Sequence, residues 1–236
     1  TSGIISTVAG IGESQNAPAG HSGDGGPAVA AQLNNPTVVA VDSSGNLYIG
    51  GYHTVRKVDI SSGIITTIAG IGGIYGEGYS GDGGPATEAQ LRYPYGLEID
   101  AADNIYIADR GNYAIRKVDT SGIITTVIGG NGHGSAGDGG PGTQATISTP
   151  YNFGIDSLGN LFITDTGHNR IRKYSPSTGI INEFAGISHT NGGYSGDGGP
   201  ATEARFKEPH GVDIDSAGNV YIADMNNNRI RKISPP

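Results

Sequence analysis

The sequence of 236 residues contains no cysteine, and only 15% of its residues are charged. Without cysteine the chain has no disulfide bonds and no thiolate metal ligands, so its fold depends on its core and its backbone hydrogen bonds. The low charge content excludes a disordered, self-repelling chain. The sequence also has no apolar stretch long enough to span a bilayer. Its formal net charge of −8 excludes the positive surface that a generic nucleic-acid-binding protein needs.

Glycine, in contrast, is abundant, with 42 residues. This content without a collagen period indicates many tight turns between short strands. The turns belong to an internal repeat, in which the string Gly-Asp-Gly-Gly-Pro occurs four times. Its aspartates are Asp24, Asp82, Asp138 and Asp197, with spacings of 58, 56 and 59 residues. Repeats of this length indicate a propeller or another repeat architecture.

Each repeat unit reads as four short strands separated by turn signals. In the second unit, we predict strands at about 95–100, 104–108, 113–119 and 123–128. Four antiparallel strands per unit are typical of a propeller blade. We therefore predict a single all-β domain over residues 1–236, a β-propeller of four four-stranded antiparallel blades. The predicted blades are about 37–70, 95–128, 151–185, and 210–233 plus 4–9.

The two chain ends predict how the ring closes. The sequence begins with a fourth-strand motif, Ile4–Val8, and ends after a third strand, Asn228–Ile233. We expect the N-terminal strand to pair into the last blade, which would leave no open edge there. Two alternatives stay open, a cut from a longer array and two chains that form a larger ring. Because the chain begins within a repeat unit, we also expect a trimmed product whose leader has been removed.

The strings YIADRGNYAIRKVD, FITDTGHNRIRKYS and YIADMNNNRIRKIS, with PYGLEID and PHGVDID upstream, resemble the NHL repeat. The resemblance covers the whole chain and implies a β-propeller. NHL proteins include ubiquitin-ligase substrate platforms, bacterial sensor ectodomains, adhesion receptors and lyases such as peptidylglycine amidating lyase. The GDGGPAT insertion is similar to that of extracellular bacterial NHL proteins and animal adhesion receptors, which implies a secreted or cell-surface location. The first unit departs from the pattern, because YIGGYHTVRK is two residues shorter.

Two sets of repeated acids are predicted to be structural. Asp109, Asp165 and Asp224 follow the second strands and precede Arg116, Arg172 and Arg231. Carboxylates in this position can accept turn N–H groups and pair with an arginine. The insertion aspartates Asp24, Asp82, Asp138 and Asp197 lie in glycine turns before a short helix that Pro85 opens in the second unit. We expect this segment to pack on one face of the disc; ligand-facing acids and a weak calcium site remain alternatives.

The candidate ligand site is the axial mouth of the ring. Thr37, Tyr95, Tyr151 and His210 start the predicted innermost strands, and Tyr93, Asn152, Tyr79 and Tyr194 lie nearby in sequence or on the insertions. Aromatic rings with polar tips suit a sugar or a peptide. The alternative is that the tyrosines fill a narrow channel and pack the insertions.

No catalytic constellation is readable in the sequence. A zinc site like that of the amidating lyase needs histidines from several inner strands, and only His210 is so placed. We therefore predict a non-catalytic binding or scaffold propeller without a cofactor, whose partner is a protein, peptide or glycan. One alternative is a propeller-type lyase or hydrolase that uses His210 with Glu98 or Asp213. The other is a self-assembling structural unit, which implies a homo-oligomer.

Overall fold

The computed structural model describes residues 3–12, 20–73, 76–188 and 191–235, whose regular structure is mainly short β-strands. The strands form four antiparallel sheets that follow one another along the chain. All helices in these ranges are 3₁₀ turns of three residues, and none is long enough to cross a membrane. The chain is therefore an all-β protein, as predicted.

The first two sheets each have four strands in chain order. The first sheet consists of β1 (Val38–Val41), β2 (Leu47–Gly51), β3 (Thr54–Val58) and β4 (Ile65–Ala69). The second sheet consists of β5 (Pro94–Ile99), β6 (Ile105–Asp109), β7 (Ala114–Val118) and β8 (Ile124–Gly129). The bounds of the second sheet lie within one residue of the predicted strands at every end. The turn residues of the repeat therefore mark the ends of these strands in the sequence.

The third sheet has one strand more than the first two sheets, and the fourth sheet has one strand fewer. The third sheet consists of β9 (Gly140–Pro141), β10 (Pro150–Ile155), β11 (Leu161–Asp165), β12 (Arg170–Ser175) and β13 (Ile180–Ala185). The fourth sheet has only β14 (Pro209–Ile214), β15 (Val220–Asp224) and β16 (Arg229–Ile233). In the third sheet the order is β10-β11-β12-β13-β9, so the short β9 of the insertion covers the outer edge.

Seven 3₁₀ turns in the described ranges complete the regular structure. Four lie in the insertions: Ala28–Ala30, Ala86–Glu88, Gly142–Gln144 and Ala201–Glu203. Three lie between second and third strands: Arg110–Asn112, Thr166–His168 and Met225–Asn227. Pro85 immediately precedes its turn as the N-cap residue, with φ −58° and ψ 130°. The predicted helix is therefore present as a single turn that begins one residue later.

The tight turn between first and second strands is fixed by an aspartate. In the third sheet, Asp156 accepts hydrogen bonds from the backbone N–H groups of Leu158 and Asn160 at 2.9 Å, and from the Asn160 amide at 2.8 Å. Gly159 adopts φ +79° in this turn. A carboxylate that satisfies several turn N–H groups holds the two strands in one register.

The sheets pack face to face as four consecutive blades. Their inner strands β1, β5, β10 and β14 contact one another in that order. Between the first two blades, Tyr48 and Val55 lie in one buried cluster with Leu97 and Ile107. Similar clusters fill the next two spaces. The apolar core is therefore divided among the spaces between blades, as in a propeller.

In the first three blades, the insertion lies along the outer edge of the blade that follows it in the sequence. In the second unit, Pro85 bridges to Ile123, and the N–H of Gly83 donates to the carbonyl of Ile124 at 2.8 Å. The expected position on one face of the disc is therefore wrong. The glycine turn has backbone N–H groups that need hydrogen-bond acceptors, and the unpaired side of β8 offers carbonyl groups. The insertion therefore covers that edge.

The expected closure by the N-terminal strand is not found. Ile4 and Ile5 lie outside any strand and are 95% and 98% exposed, and the fourth sheet lacks an outer strand. A strand forms only where a partner edge offers hydrogen bonds, and no described residue pairs with the outer edge of β16. The segment instead lies against the first insertion, where the N–H of Gly10 donates to the carbonyl of Ala28 at 2.9 Å.

Candidate functional site

The axial mouth is built at the start of the inner strands, where the pairing with the second strands is irregular. The register shifts between Pro94 and Gly96 in β5 and between Pro209 and Gly211 in β14. β10 has the corresponding irregularity between Pro150 and Phe153. A bulge at this point bends the strand and changes the direction of its side chains. Tyr95, Tyr151 and His210 each lie inside one of these bulges.

The three bulge residues meet in a continuous aromatic cluster. The rings of Tyr151 and His210 are stacked, with centroids 4.0 Å apart and an interplanar angle of 17°. The ring of Tyr95 meets Tyr151 edge-on, with centroids 5.6 Å apart. Thr37 lies beside this cluster, and its hydroxyl donates to the carbonyl of Pro94 at 3.1 Å. The predicted first residues of the inner strands therefore lie at one end of the blades.

Arg110 also belongs to this cluster. Its position there was not predicted from the sequence. Its Nη2 donates to the Tyr151 hydroxyl at 2.8 Å, and its guanidinium carbon lies 4.3 Å from the Tyr151 centroid and 5.3 Å from that of Tyr95. Since Arg110 and His210 both lie so close to the Tyr151 ring, they cover its two faces. The sequence contains one indication of this role, because the position of Arg110 is not conserved between the repeats. Thr166 and Met225 occupy the equivalent positions in the next two units.

The charge of Arg110 is not matched in the described part of the chain. No carboxylate there lies within 4.0 Å of its guanidinium, and its buried Nε has no hydrogen-bond partner. Burial, opposed by Glu208 and aided by the charge of Arg110, lowers the pKa of His210 below its usual value. The imidazole is therefore neutral at pH 7.

A cavity of about 290 Å³ opens beside this cluster. Besides Arg110, Tyr151 and His210, it is lined mainly by Thr149, Thr166, Asn169, Asn191, Lys207 and Glu208. The lining is polar and brings together groups from three blades. Such a cavity offers hydrogen-bond donors and a net positive charge to a ligand, because two cationic side chains face one carboxylate.

Two further carboxylates lie on the inner strands. Half-buried Glu98 of β5 is within electrostatic reach of Asp213 of β14, which is exposed. Burial, and secondarily the charge of Asp213, raise the pKa of Glu98 to about 7. The pair gives the axis one carboxyl group that can gain or lose a proton near neutral pH.

The remaining predicted ligand residues do not line the cavity. Tyr93 forms a separate cluster with Tyr52 and His53, with centroids 5.4 and 5.2 Å from its own. Asn152 lies in β10, where its N–H donates to Oγ1 of Thr164 at 3.1 Å. The aromatic cluster of Tyr93 is confined to the boundary between the first two blades, so this residue does not share a cavity with Tyr151.

Tyr79 and Tyr194 lie on the insertions near the outer edges. The Tyr79 hydroxyl is 2.8 Å from Oγ1 of Thr126 in β8, and the Tyr194 hydroxyl donates to Asp197. The guanidinium of Arg229 lies 3.8 Å from the centroid of the Tyr194 ring. Both tyrosines therefore pack the insertions onto their blades, which was the alternative interpretation of these residues.

The repeated acids pair with a buried arginine in every blade, and in the third blade they pair with Arg170 as well. In the second blade, Arg116 is fully buried and contacts Asp82 at 2.7 Å and Asp109 at 3.5 Å. The other blades use the arginines Arg56, Arg172 and Arg231 with the insertion aspartates Asp24, Asp138 and Asp197. Asp165 and Asp224 lie 4.0 and 3.4 Å from their arginines. The first blade has Gly51 opposite Thr54, where the second has Asp109.

This clasp pairs each insertion aspartate with an arginine, while the aspartate side chains stay 31–58% exposed. Within the described ranges, no group of three histidine, aspartate or glutamate side chains is placed to hold a metal ion. Burial raises the pKa of Asp109 to about 6, although hydrogen bonds from Asn112 and Arg92 and the charge of Arg116 oppose it. The clasp is therefore an ion-pair network, buried on its arginine side and exposed on its insertion side, that ties each insertion to its blade.

Comparison with known protein sequences identifies relatives over most of the chain. Residues 3–77 and 75–137 match the Teneurin NHL domain, and residues 206–233 match the NHL repeat. Teneurin-1 of Homo sapiens is 30% identical over 237 residues, which cover 91% of this chain and 8% of that protein. Teneurin-4 of Mus musculus is 30% identical over 235 residues, with 89% and 8% covered. The chain thus spans less than a tenth of these relatives.

Solved structures share the fold at lower identity. An auxiliary nutrient binding protein from Bacteroides ovatus has a TM-score of 0.65 and 20% identity, covering 87% of this chain and 50% of that chain. A streptogramin B lyase has a TM-score of 0.50 and 16% identity, covering 88% and 71%. The Teneurin NHL domain match extends over more than half of the chain, so the chain belongs to the teneurin NHL-domain family of NHL-repeat proteins.

Proposed function

We propose that this chain is a non-catalytic binding module whose axial mouth holds an acidic group of its ligand. The observation that carries the proposal is Arg110, a cation without a matching carboxylate in the described chain, beside a polar cavity of about 290 Å³. The ligand is a glycan, a peptide or a partner protein that carries a carboxylate. The proposed binding requires no cofactor.

The environment of Arg110 supports recognition of an anion. The rings of Tyr95 and Tyr151 fix the guanidinium plane, so little side-chain freedom is lost when a ligand binds. A guanidinium can donate two parallel hydrogen bonds to a carboxylate, and such charge-assisted bonds are stronger than neutral ones. Lys207 adds a second cation at the rim of the cavity. Neutral His210 contributes a hydrogen-bonding edge without a further charge.

The break in the repeat also supports a functional site. Every blade keeps its buried arginine, but only the second blade has a cation at the Arg110 position. A group required by the fold would recur in the other units, as the clasp arginines do. An asymmetric cation in a cavity is the arrangement that a single ligand site requires.

The proposal is tested with Arg110→Gln on an array of uronate-containing and neutral oligosaccharides, with acidic and neutral peptides as separate arms. We expect binding to the acidic probes of one arm and a loss of at least about tenfold in affinity for the variant. The matched control is Arg229→Gln, which removes an exposed arginine that does not line the cavity. Equal affinity of Arg110→Gln and the parent chain, or silence of the folded protein on all arms, would sink the proposal.

We further propose an extracellular or cell-surface location. The GDGGP insertions are similar to those of extracellular NHL proteins, and the chain relies on no thiol chemistry. The insertions also present loops on the outer edges of the blades, where a scaffold could contact a partner protein. Fractionation of the natural host, with detection of the chain outside the cytoplasm, tests this location.

A second candidate function is a propeller-type lyase or hydrolase, favoured by the pKa of about 7 at Glu98. A carboxyl group poised near neutral pH is suited to general acid–base catalysis. His210 stands at the mouth of the same axis and would contact the substrate. Turnover that survives both Glu98→Gln and His210→Ala would exclude this candidate.

A further inference from the structure

One position in the insertions carries a different side chain from unit to unit. Three residues before the insertion aspartate, the chain has His21, Tyr79, Ser135 and Tyr194. In the second blade, the ring of Tyr79 lies near the clasp arginine Arg116, whose guanidinium carbon is 5.0 Å from the ring centroid. The Tyr79 hydroxyl is 2.8 Å from Oγ1 of Thr126 in the outer strand. The tyrosine therefore bridges the insertion and the blade.

The third and fourth blades also cover this position with a large side chain. In the fourth blade, the ring of Tyr194 lies 3.8 Å from the guanidinium carbon of Arg229. In the third blade, which has a serine here, Arg170 of the third strand takes over. Its Nη1 donates to Asp138 of the insertion at 2.8 Å and to Glu183 of the outer strand at 3.2 Å. In both blades an aromatic ring or a guanidinium lies between the insertion and the strands.

The first blade has an open cavity at the same position. Thr54 stands where the third blade has Arg170, and its hydroxyl lies 3.5 Å from Nδ1 of His21. A cavity of about 460 Å³ is lined by these two residues together with Thr67 of β4 and Thr87 of the second insertion. All its lining residues belong to the first blade or to the insertions before and after it in the sequence.

The groups that hold Tyr79 in the second blade are present around this cavity. Thr67 pairs with Arg56 across the strands, as Thr126 pairs with Arg116. The backbone N–H of Thr67 donates to Asp24 at 2.9 Å, so the insertion and the outer strand are held together without a bridging ring. The first blade therefore offers the hydroxyl and the guanidinium that a tyrosine contacts, but supplies no tyrosine of its own.

The chemistry of the lining favours a neutral ligand that carries a hydroxyl group. The carboxylate of Asp24 is already paired with Arg56. Burial, aided by the charge of Arg56 and opposed by Asp24, lowers the pKa of His21, so the imidazole is neutral at pH 7. The remaining polar groups are threonine hydroxyls, and Ile71 adds an apolar wall where the second blade has Gly130. A flat apolar ring with a polar tip matches this combination.

We propose that the cavity of the first blade binds a tyrosine side chain presented by a partner protein or peptide. The phenol hydroxyl contacts Thr67, and the ring lies near the guanidinium of Arg56, as Tyr79 lies near Arg116 within the second blade. This site goes beyond the axial mouth, with which it shares no lining residue. A tyrosine contributes a large contact area at a small cost in side-chain freedom, which suits a docking contact.

The first experiment titrates the isotopically labelled chain with three probes and follows its amide signals by NMR. The probes are N-acetyl-tyrosinamide, N-acetyl-phenylalaninamide and a neutral methyl glucoside. We expect the tyrosine probe to shift the amides of Thr67 and Thr87. The phenylalanine probe should bind about fivefold more weakly, because it lacks the hydroxyl that bonds to Thr67. Equal binding of the two amides, a response to the glucoside alone, or unmoved signals of Thr67 and Thr87 would overturn the proposal.

The repeat itself supplies a variant that fills the cavity. His21→Tyr restores the residue of the second and fourth units, so its own ring should occupy the site. We expect affinity for the tyrosine probe to fall by at least about tenfold and the melting temperature to rise. The matched control is Ser135→Tyr, which adds a tyrosine at the equivalent position of the third insertion, where Arg170 already lies. It should bind the probe like the parent chain.

A second pair of variants tests the hydroxyl contact without filling the cavity. Thr67→Val should weaken binding of the tyrosine probe by about fivefold, because it removes the hydrogen-bonding group but keeps the shape of the side chain. Thr66→Val is its control, since Thr66 is the exposed neighbour in the same strand and does not line the cavity. Undiminished binding to both His21→Tyr and Thr67→Val would refute the proposed site.

Discussion

Arginine has two different roles in this protein, and the residues around each side chain determine which role it has. Arg116, Arg172 and Arg231 each contact two carboxylates, one from the insertion and one from the second strand, whereas Arg56 contacts only the insertion carboxylate. Removing one member of such a network leaves an unpaired buried charge, which is strongly destabilising. Arg110 instead lies on aromatic rings beside a cavity and has no carboxylate in the described chain. The ion-pairing role recurs in every blade, and the role beside the cavity occurs once.

At the same scale, Glu98 should make stability fall as pH rises. Its pKa is about 7 in the folded protein and near 4.5 when unfolded, so the folded state binds the proton more tightly. Stability from this group is complete below about pH 4.5 and is lost as pH rises through about 7. We expect Glu98→Gln to raise the free energy of unfolding at pH 8 by about 2 kcal/mol, and to change it little at pH 4.5.

Urea unfolding of the parent and variant chains across this pH range measures the effect. The control is Glu88→Gln, because Glu88 is an exposed glutamate of an insertion. Parallel pH profiles of Glu98→Gln and the parent chain would show that Glu98 is not held in a charge-disfavouring environment.

At the scale of elements, the insertion depends on two glycines with different constraints. Gly137 adopts φ +100°, and a Cβ there would lie 2.6 Å from Cα of Ala145. Gly139, two residues later, adopts φ +81° with nothing within 4 Å of the same position. Both need the left-handed region, but only Gly137 also needs the space. The close approach is what brings the 3₁₀ turn of the insertion back over its own glycine loop.

These two positions form a matched pair of substitutions. Gly139→Ala should cost about 1 kcal/mol through its backbone conformation alone. Gly137→Ala should cost at least about 2 kcal/mol more, because the backbone of Ala145 must move. Thermal unfolding of both variants measures the difference, and equal losses would contradict the packing of this insertion.

At the scale of the whole molecule, the apolar core is divided among the spaces between consecutive blades. Each internal blade is therefore stabilised by the neighbour on either side.

The sequence by itself determined the parts of this protein that depend on neighbours along the chain. Turn residues such as Asp156 and Gly159 define strand ends through bonds that span only a few residues, so the strands were predictable within one residue. The repeated aspartates and arginines were also visible, because the same contact is made four times and leaves four copies of its pattern. The family was readable from the same strings.

Only the tertiary structure decided what depends on the angle between blades. The meeting of Arg110 with Tyr151 joins two blades, and no local pattern records it. The separation of Tyr93 from the mouth and the interaction of Glu98 with Asp213 depend on the same geometry. The position of Ile5 outside any strand was likewise not readable from its repeat motif. A strand motif becomes a strand only where the edge of another strand lies beside it, and the motif does not record that neighbour.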